Sequence, residues 1–230
     1  MTKKKVSLII AAGVLATALV GGSLAWFTDK DTATNHFKTG SIAHEIVEVF
    51  NPEGPAQDLL PGDEVNKDVW IDNTATSDAL LRVKITATLD GKDIAYNTNP
   101  KVLELVFAEG VQEVLGEKIE DGTNWVKGND GYFYYTKIFA KKGEAATRSE
   151  QLLDAVRIDK DVEDQKSYGN KKIDVIINSE TVQVNSDAYR ESWEITGTNP
   201  EEKIISMLDG LVKTYKDNNN KIHVEEKVSE

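Results

Sequence analysis

Three histidines, His36, His44 and His223, are the first residues to weigh for chemistry. Zinc hydrolysis needs three protein ligands and one open position. A helical zinc peptidase draws two of those ligands from His-Glu-x-x-His, and that motif does not occur. His44-Glu45 is only a dipeptide, so the one zinc set that spacing leaves is His36, His44 and Glu45. Strand-facing or solvated histidines are the simpler reading. Asp159, Asp161, Glu163 and Asp164 look like the start of a calcium loop. The sixth position of such a loop must be glycine and is Asp164 here; the twelfth must be glutamate and is Asn170. A solvated acidic turn is expected instead. No nucleophile elbow, phosphate loop or dinucleotide fingerprint is present. The chain has no cysteine, which removes disulfides, thiolate metal sites and cysteine nucleophiles together. The expectation is a protein that is not an enzyme, with no catalytic residue, no metal ligand and no cofactor.

Aromatic residues offer a different chemistry. Tyr132-Phe133-Tyr134-Tyr135, with Trp125 nearby, is long enough to form a stacking platform for sugars. In an alternating strand half of such a row faces inward. A core with a partly exposed tyrosine edge is the plainer expectation, because aromatics favour strands in any case.

The elements that must position these residues start from an ordinary globular composition. The chain has 230 residues, 40% hydrophobic and 29% charged, enough for one large domain or two small ones. Its 27 basic against 39 acidic residues give a net charge of −12, which argues against nucleic acid, since a phosphate backbone needs a basic footprint.

At the N-terminus, Lys3, Lys4 and Lys5 precede an uncharged run from Val6 to Val20. Gly21-Gly22-Ser23-Leu24-Ala25 then supplies small residues at the −3 and −1 positions. This is the three-part pattern of a secretory signal peptide, with cleavage expected between Ala25 and Trp26. The alternative is a retained anchor, although a spanning helix asks for about 20 apolar residues. Cleavage removes three lysines and leaves the mature chain more acidic still. With a polar C-terminus, KIHVEEKVSE, the mature chain is expected to be released, touching the membrane only through its leader.

Most of the remainder reads as β. Residues 42–50 are rich in β-branched types. Val65, Lys67, Val69 and Ile71 share one face. Residues 80–89 set Leu81, Val83, Ile85, Ala87 and Leu89 against Arg82, Lys84, Thr86 and Thr88, which predicts a strand with one wet face. Asp90-Gly91 signals a hairpin. Residues 101–109 fit strand or helix equally. Further strands are predicted over 132–140 and 171–177, the latter extended by Val182 and Val184. Asn199-Pro200-Glu201-Glu202 predicts a helix N-cap, with Ile204, Leu208, Leu211 and Tyr215 as its apolar stripe. Beyond Lys216 a frayed polar tail is expected.

The junction from Gly21 through Trp26-Phe27-Thr28-Asp29 to Asn35-x-Phe37-x-x-Gly40-x-Ile42 resembles the SipW-dependent TasA/camelysin family of Gram-positive biofilm matrix proteins. Leu60-Pro61-Gly62-Asp63, Val69-x-Ile71-x-Asn73, Leu81-Arg82-Val83-x-Ile85, Trp125, and Asp130-Gly131-Tyr132-Phe133-Tyr134-Tyr135 are similar to its BsaA-like branch, as are Val182-Gln183 and Trp193. The resemblance covers residues 1 to about 195. It implies a jelly-roll-like sandwich; joined to the strands and helix read above, the expected fold is an all-β, jelly-roll-like antiparallel sandwich with short helical additions and a C-terminal helix. The expected organisation is a leader at 1–25, an N-terminal arm at 26–40, a sandwich at 41–197, and a helix with a polar tail at 198–230, the last lying beyond the resemblance. It also implies a dedicated signal peptidase, copies of the same chain as partners with other matrix proteins beside them, and a fibre built by donated N-terminal strands. The donor is expected to run from Trp26 to about Val49, with Trp26, Phe27, Asp29, Phe37, Gly40, Ile42 and Ile46 as its marked positions. If residues 40–50 are instead an ordinary first strand, only 26–38 is donated. A camelysin-like secreted metalloprotease and a monomeric glycan-binding module remain the competing readings.

Overall fold

The computed structural model describes residues 28–31, 43–50, 59–98, 102–162, 168–184, 187–197 and 199–228; for 28–31, 50 and 220–228 the backbone alone is described. The expected leader at 1–25, and Trp26, Phe27, Phe37, Gly40 and Ile42, lie outside these residues.

Two sheets face each other. The first has the strand order β1-β11-β4-β9-β8-β7, with β5 also on β4. Its strands are β1 (Thr28–Asp31), β4 (Ala79–Leu89), β5 (Lys92–Ile94), β7 (Val111–Gln112), β8 (Trp125–Lys127), β9 (Tyr132–Tyr135) and β11 (Ile173–Gln183). The second has the order β2-β3-β10-β6: β2 (His44–Phe50), β3 (Glu64–Asn73), β10 (Leu153–Ile158) and β6 (Leu103–Phe107). The described residues also include two helices, α1 (Ala188–Ser192) and α2 (Glu202–Val228). The fold is an all-β sandwich with a C-terminal helix. One pairing departs from the expected antiparallel pattern: β7 runs parallel to β8.

Local chemistry explains the turns that set this register. Leu89 and Lys92 are joined by Asp90 and Gly91, at φ +50° and +73°. Two successive positive φ values define the mirror-image turn whose twist suits a hairpin, and Asp-Gly supplies them at least cost. Ahead of β3, Pro61-Gly62 turns the chain with Gly62 at φ +89°, and Asp63 N donates to Leu60 O at 2.9 Å.

Alternation in β3 is as predicted: Val65, Lys67, Val69 and Ile71 are buried on one face. Between the sheets Val69, Ile71, Leu81, Val83, Ile85, Leu105, Phe133 and Leu153 form the main core. The wet face expected on β4 needs correction. Leu80 and Arg82 on that side are also buried. The outer face of the first sheet carries a second core, in which Leu80, Val126, Tyr134 and Val182 pack with Tyr189, Trp193, Ile204, Leu208 and Val212. Only the far half of β4, at Lys84 and Thr86, keeps the polar face open.

Three element boundaries also shift. The aromatic strand ends at Tyr135 rather than residue 140. The long helix begins at Glu202, so Asn199 is not its cap; the Glu201 carbonyl accepts the first helical bonds, from Ile204 N at 2.9 Å and Ile205 N at 3.2 Å. The helix then continues through Val228 instead of fraying at Lys216. Ile204 and Leu208 of the predicted stripe are fully buried. Leu208→Ala is expected to destabilise the protein by about 2–5 kcal/mol, the usual cost of a leucine cavity. A lowered urea midpoint measures it, and an unchanged midpoint would mean the helix is not part of the core.

Candidate assembly edge

The strand β11 is paired with β4 along its whole length, from Ile173↔Leu89 to Gln183↔Ala79. Its other edge is paired only at one end. There β1 lies antiparallel to it, with Thr28↔Val182, Asp29↔Thr181, Lys30↔Glu180 and Asp31↔Ser179. The expected arm residue Asp29 therefore stands on the edge of the chain's own sheet. Among the described residues no strand covers the outer edge of 173–178.

The floor beneath β1 is polar. Thr181 and Ser179 are buried on the inner face of β11, at 1% and 0% exposure. His44, at the start of β2, reaches across to them: its Nδ1 and the Thr181 hydroxyl are hydrogen-bonded at 3.1 Å. The floor changes further along. Ile177 is buried, and Val175 and Ile173 pack half-buried on the main core. A groove of about 590 Å³ opens there, between β11 and the second sheet, with Val65, Leu103, Val156 and Ile158 as its apolar walls.

On the outer face Glu180 ties β11 to the second core. Arg82 Nε and Nη2 donate to Glu180 Oε2 at 3.0 and 2.7 Å, and the Arg82 side chain is 5% exposed. Its Nη1 donates to Trp193 O at 3.3 Å, and the guanidinium sits 3.8 Å from the Tyr132 ring centre. Tyr132 OH donates to Glu180 Oε1 at 3.2 Å, and Tyr134 OH to Asp130 Oδ2 at 2.6 Å. Burial is the largest single influence on the Arg82 charge and works against it, but Glu180 and Tyr134 together outweigh it and lift the guanidinium above its ordinary value. Burial, followed by the bond to Asp130, raises the Tyr134 phenol. Both hydroxyls therefore stay protonated and donate throughout the physiological range.

The remaining sequence-predicted residues are placed as follows. Ile46 lies on β2, opposite Ile71 of β3, and packs against the main core. Residues 44–50 thus form a first strand within their own chain, the second of the two arrangements expected for them. Trp125, Phe133, Tyr134 and Tyr135 are all buried, which leaves Tyr132 alone of the aromatic row half-exposed, beneath Arg82. The row is core, not a platform. Among the described residues no three of His, Cys, Asp and Glu stand close enough together to hold a metal ion. His44 turns its Nδ1 to Thr181, while the neighbouring Glu45 is exposed. His36, the third member of the zinc set weighed from the sequence, lies outside the described residues. Among the described residues no helix is long and apolar enough to cross a membrane.

Sequence reasoning missed the polar half of the floor and the Arg82–Glu180 pair. The signal for the pair was an arginine and a glutamate on the outward sides of two strands that had both been predicted.

Compared with known proteins, the chain matches the sequence model of one family, described as camelysin metallo-endopeptidase, over residues 1–188. No curated protein matches it. Removing one partner of a buried ion pair leaves the other charge uncompensated. Glu180→Gln is accordingly expected to cost about 3–5 kcal/mol in urea unfolding. Arg82→Met combined with Glu180→Leu should recover part of that loss; a double variant no better than the single one would refute the pairing argument.

Proposed function

We propose, for a chain that belongs to the camelysin metallo-endopeptidase family, that it is an exported structural subunit of extracellular matrix fibres. A dedicated signal peptidase cuts after Ala25. The freed arm then leaves its seat on β11 and occupies the same seat on the next copy. Other matrix proteins are further partners of the fibre, and the cell surface or the surrounding matrix is where it accumulates.

One observation carries this reading: among the described residues a four-residue strand, β1, forms the outermost row of its sheet and pairs with β11 alone. Strands at a sheet edge expose main-chain donors and acceptors that another chain can satisfy. Exchange between copies replaces like with like, so little free energy is lost when the seat changes owner. Head-to-tail exchange does not close on itself and so extends into a filament. Loss of the three leader lysines takes the net charge from −12 to −15, which keeps single subunits soluble until the exchange occurs.

Negative-stain images of protein beginning at Trp26 are expected to show fibres. Deletion of residues 26–38 is expected to abolish them and leave a folded monomer, because β11 keeps all its pairing with β4. Fibres from the deleted form would refute the reading.

The description of the family as metallo-endopeptidases favours a second reading, a secreted protease. Zinc analysis and casein digestion of the same preparation decide between them. Bound zinc with chelator-sensitive cleavage would support the protease.

A further inference from the structure

The strand β6 is the last row of the second sheet and pairs with β10 and, among the described residues, with no other named strand. Its sequence, Leu-Glu-Leu-Val-Phe, holds no proline or lysine to discourage a further strand. Leu105 stands opposite Val156 of β10, yet its main-chain N–H and C=O both point the other way, to the outer edge of the sheet. Left unpaired, these are the groups on which another chain begins to add a strand.

Asn97 takes both of them. Its Oδ1 accepts from Leu105 N at 2.8 Å, and its Nδ2 donates to Leu105 O at 3.0 Å. Nδ2 also donates to Glu113 Oε2 at 2.9 Å, just past the end of β7. Asn97 N donates to Leu103 O at 3.2 Å, two residues earlier on the same edge. One primary amide therefore uses both its protons and copies the donor and acceptor of a strand residue. The backbone of Asn97 is at φ +55°, a left-handed conformation that asparagine and glycine tolerate. This turn follows Tyr96, which bridges Leu103, so the side chain continues along the edge where the main chain leaves it. An asparagine that only shaped its own turn would bond the backbone about two residues on. Here the amide reaches eight residues along the chain. Aspartate in its place would donate to nothing and would set a second carboxylate beside Glu113.

We infer that Asn97 is a guard on the second sheet: its amide occupies the β6 edge and stops a second copy from adding a strand there. This goes beyond the fibre reading and does not rest on it, because β1 lies on the other sheet, against β11. Growth of the second sheet from copy to copy is blocked at this edge by a single side chain.

The chain has no cysteine, so introduced thiols report without native background. Val106 points to the opposite face from the core residue Leu105. Val106→Cys is placed in the chain beginning at Trp26, once with Asn97 intact and once with Asn97→Gly. Glycine accepts the positive φ and removes only the amide. Under mild oxidation, disulfide-linked dimers are expected from the Asn97→Gly chain, while the chain that keeps Asn97 gives only slow collisional cross-linking. Glu104→Cys, on the same face, repeats the measurement for a shifted register. Hydrogen exchange at the Leu105 amide, in chains without cysteine, is the second readout. It is expected to be about tenfold faster in dilute Asn97→Gly, as for the loss of one hydrogen bond. Equal Leu105 exchange with and without the amide would overturn Asn97 as the partner of the edge. Faster exchange with equal cross-linking at both positions would show that the amide only steadies the loop, and would overturn the guard. Should Asn97→Gly fail to fold, Asn97→Ala repeats both measurements, and the same outcomes decide.

Discussion

Backbone hydrogen bonding along β11 is the constraint around which this molecule is arranged. Eleven consecutive residues pair with β4, and the two strands together supply both cores. Their inward side chains, among them Leu81, Val83, Ile85 and Ile177, pack on the second sheet. Leu80 and Val182 pack outward beneath the helices. A strand buried on both faces cannot leave its main-chain groups on the open edge without a partner or water. At the end where the inner floor is the buried trio His44, Thr181 and Ser179, water access is poorest, and that is where β1 sits.

The same edge gives a physical meaning to the contrast between its halves. Backbone pairing holds β1 over the polar end of this floor, whereas the stretch from Ile177 to Ile173 is apolar. Glu180 links the edge to the outer core through Arg82, Tyr132 and the Trp193 carbonyl. A buried ion pair of this kind contributes little net stability against an apolar replacement, so its value here is positional. It holds β11, β4, β9 and the end of α1 in one relative placement.

Five of the eleven described strands, β2, β3, β4, β9 and β11, were legible, the clearest of them because side chains facing the main core alternate with side chains facing a different environment, which prints a period of two on the sequence. Residues 65–72 and 80–89 show this directly. The strand β10 was not found, and its bulge between Leu153 and Ala155 is the reason: the extra residue breaks the alternation, leaving buried side chains at 153, 155, 156 and 158. Arg82 misled for a different cause. A charged residue on the polar phase of a strand reads as solvent-facing, and only its distant partner Glu180 and the covering Trp193 make its burial tolerable. The helix stripe at Ile204 and Leu208 was plain, but its start was misplaced because Asn-Pro also marks ordinary loop entry. Of the candidate edge, the arm was legible only through a family resemblance. Pairing of β1 with β11 joins positions about 150 apart in sequence, and no local pattern carries that information.

The long C-terminal helix has a bearing on shape at larger scale. With α1, it roofs the exterior of the first sheet near Leu80 and Val182, and the unroofed remainder shows Lys84 and Thr86. Flat apolar sheet faces are what allow ribbons to laminate into thick, dry stacks of the amyloid kind. Here that surface is covered by the helices at one end, and at the other Lys84 and Thr86 surround the exposed Ile176, so no flat apolar expanse of that kind is presented by the described residues.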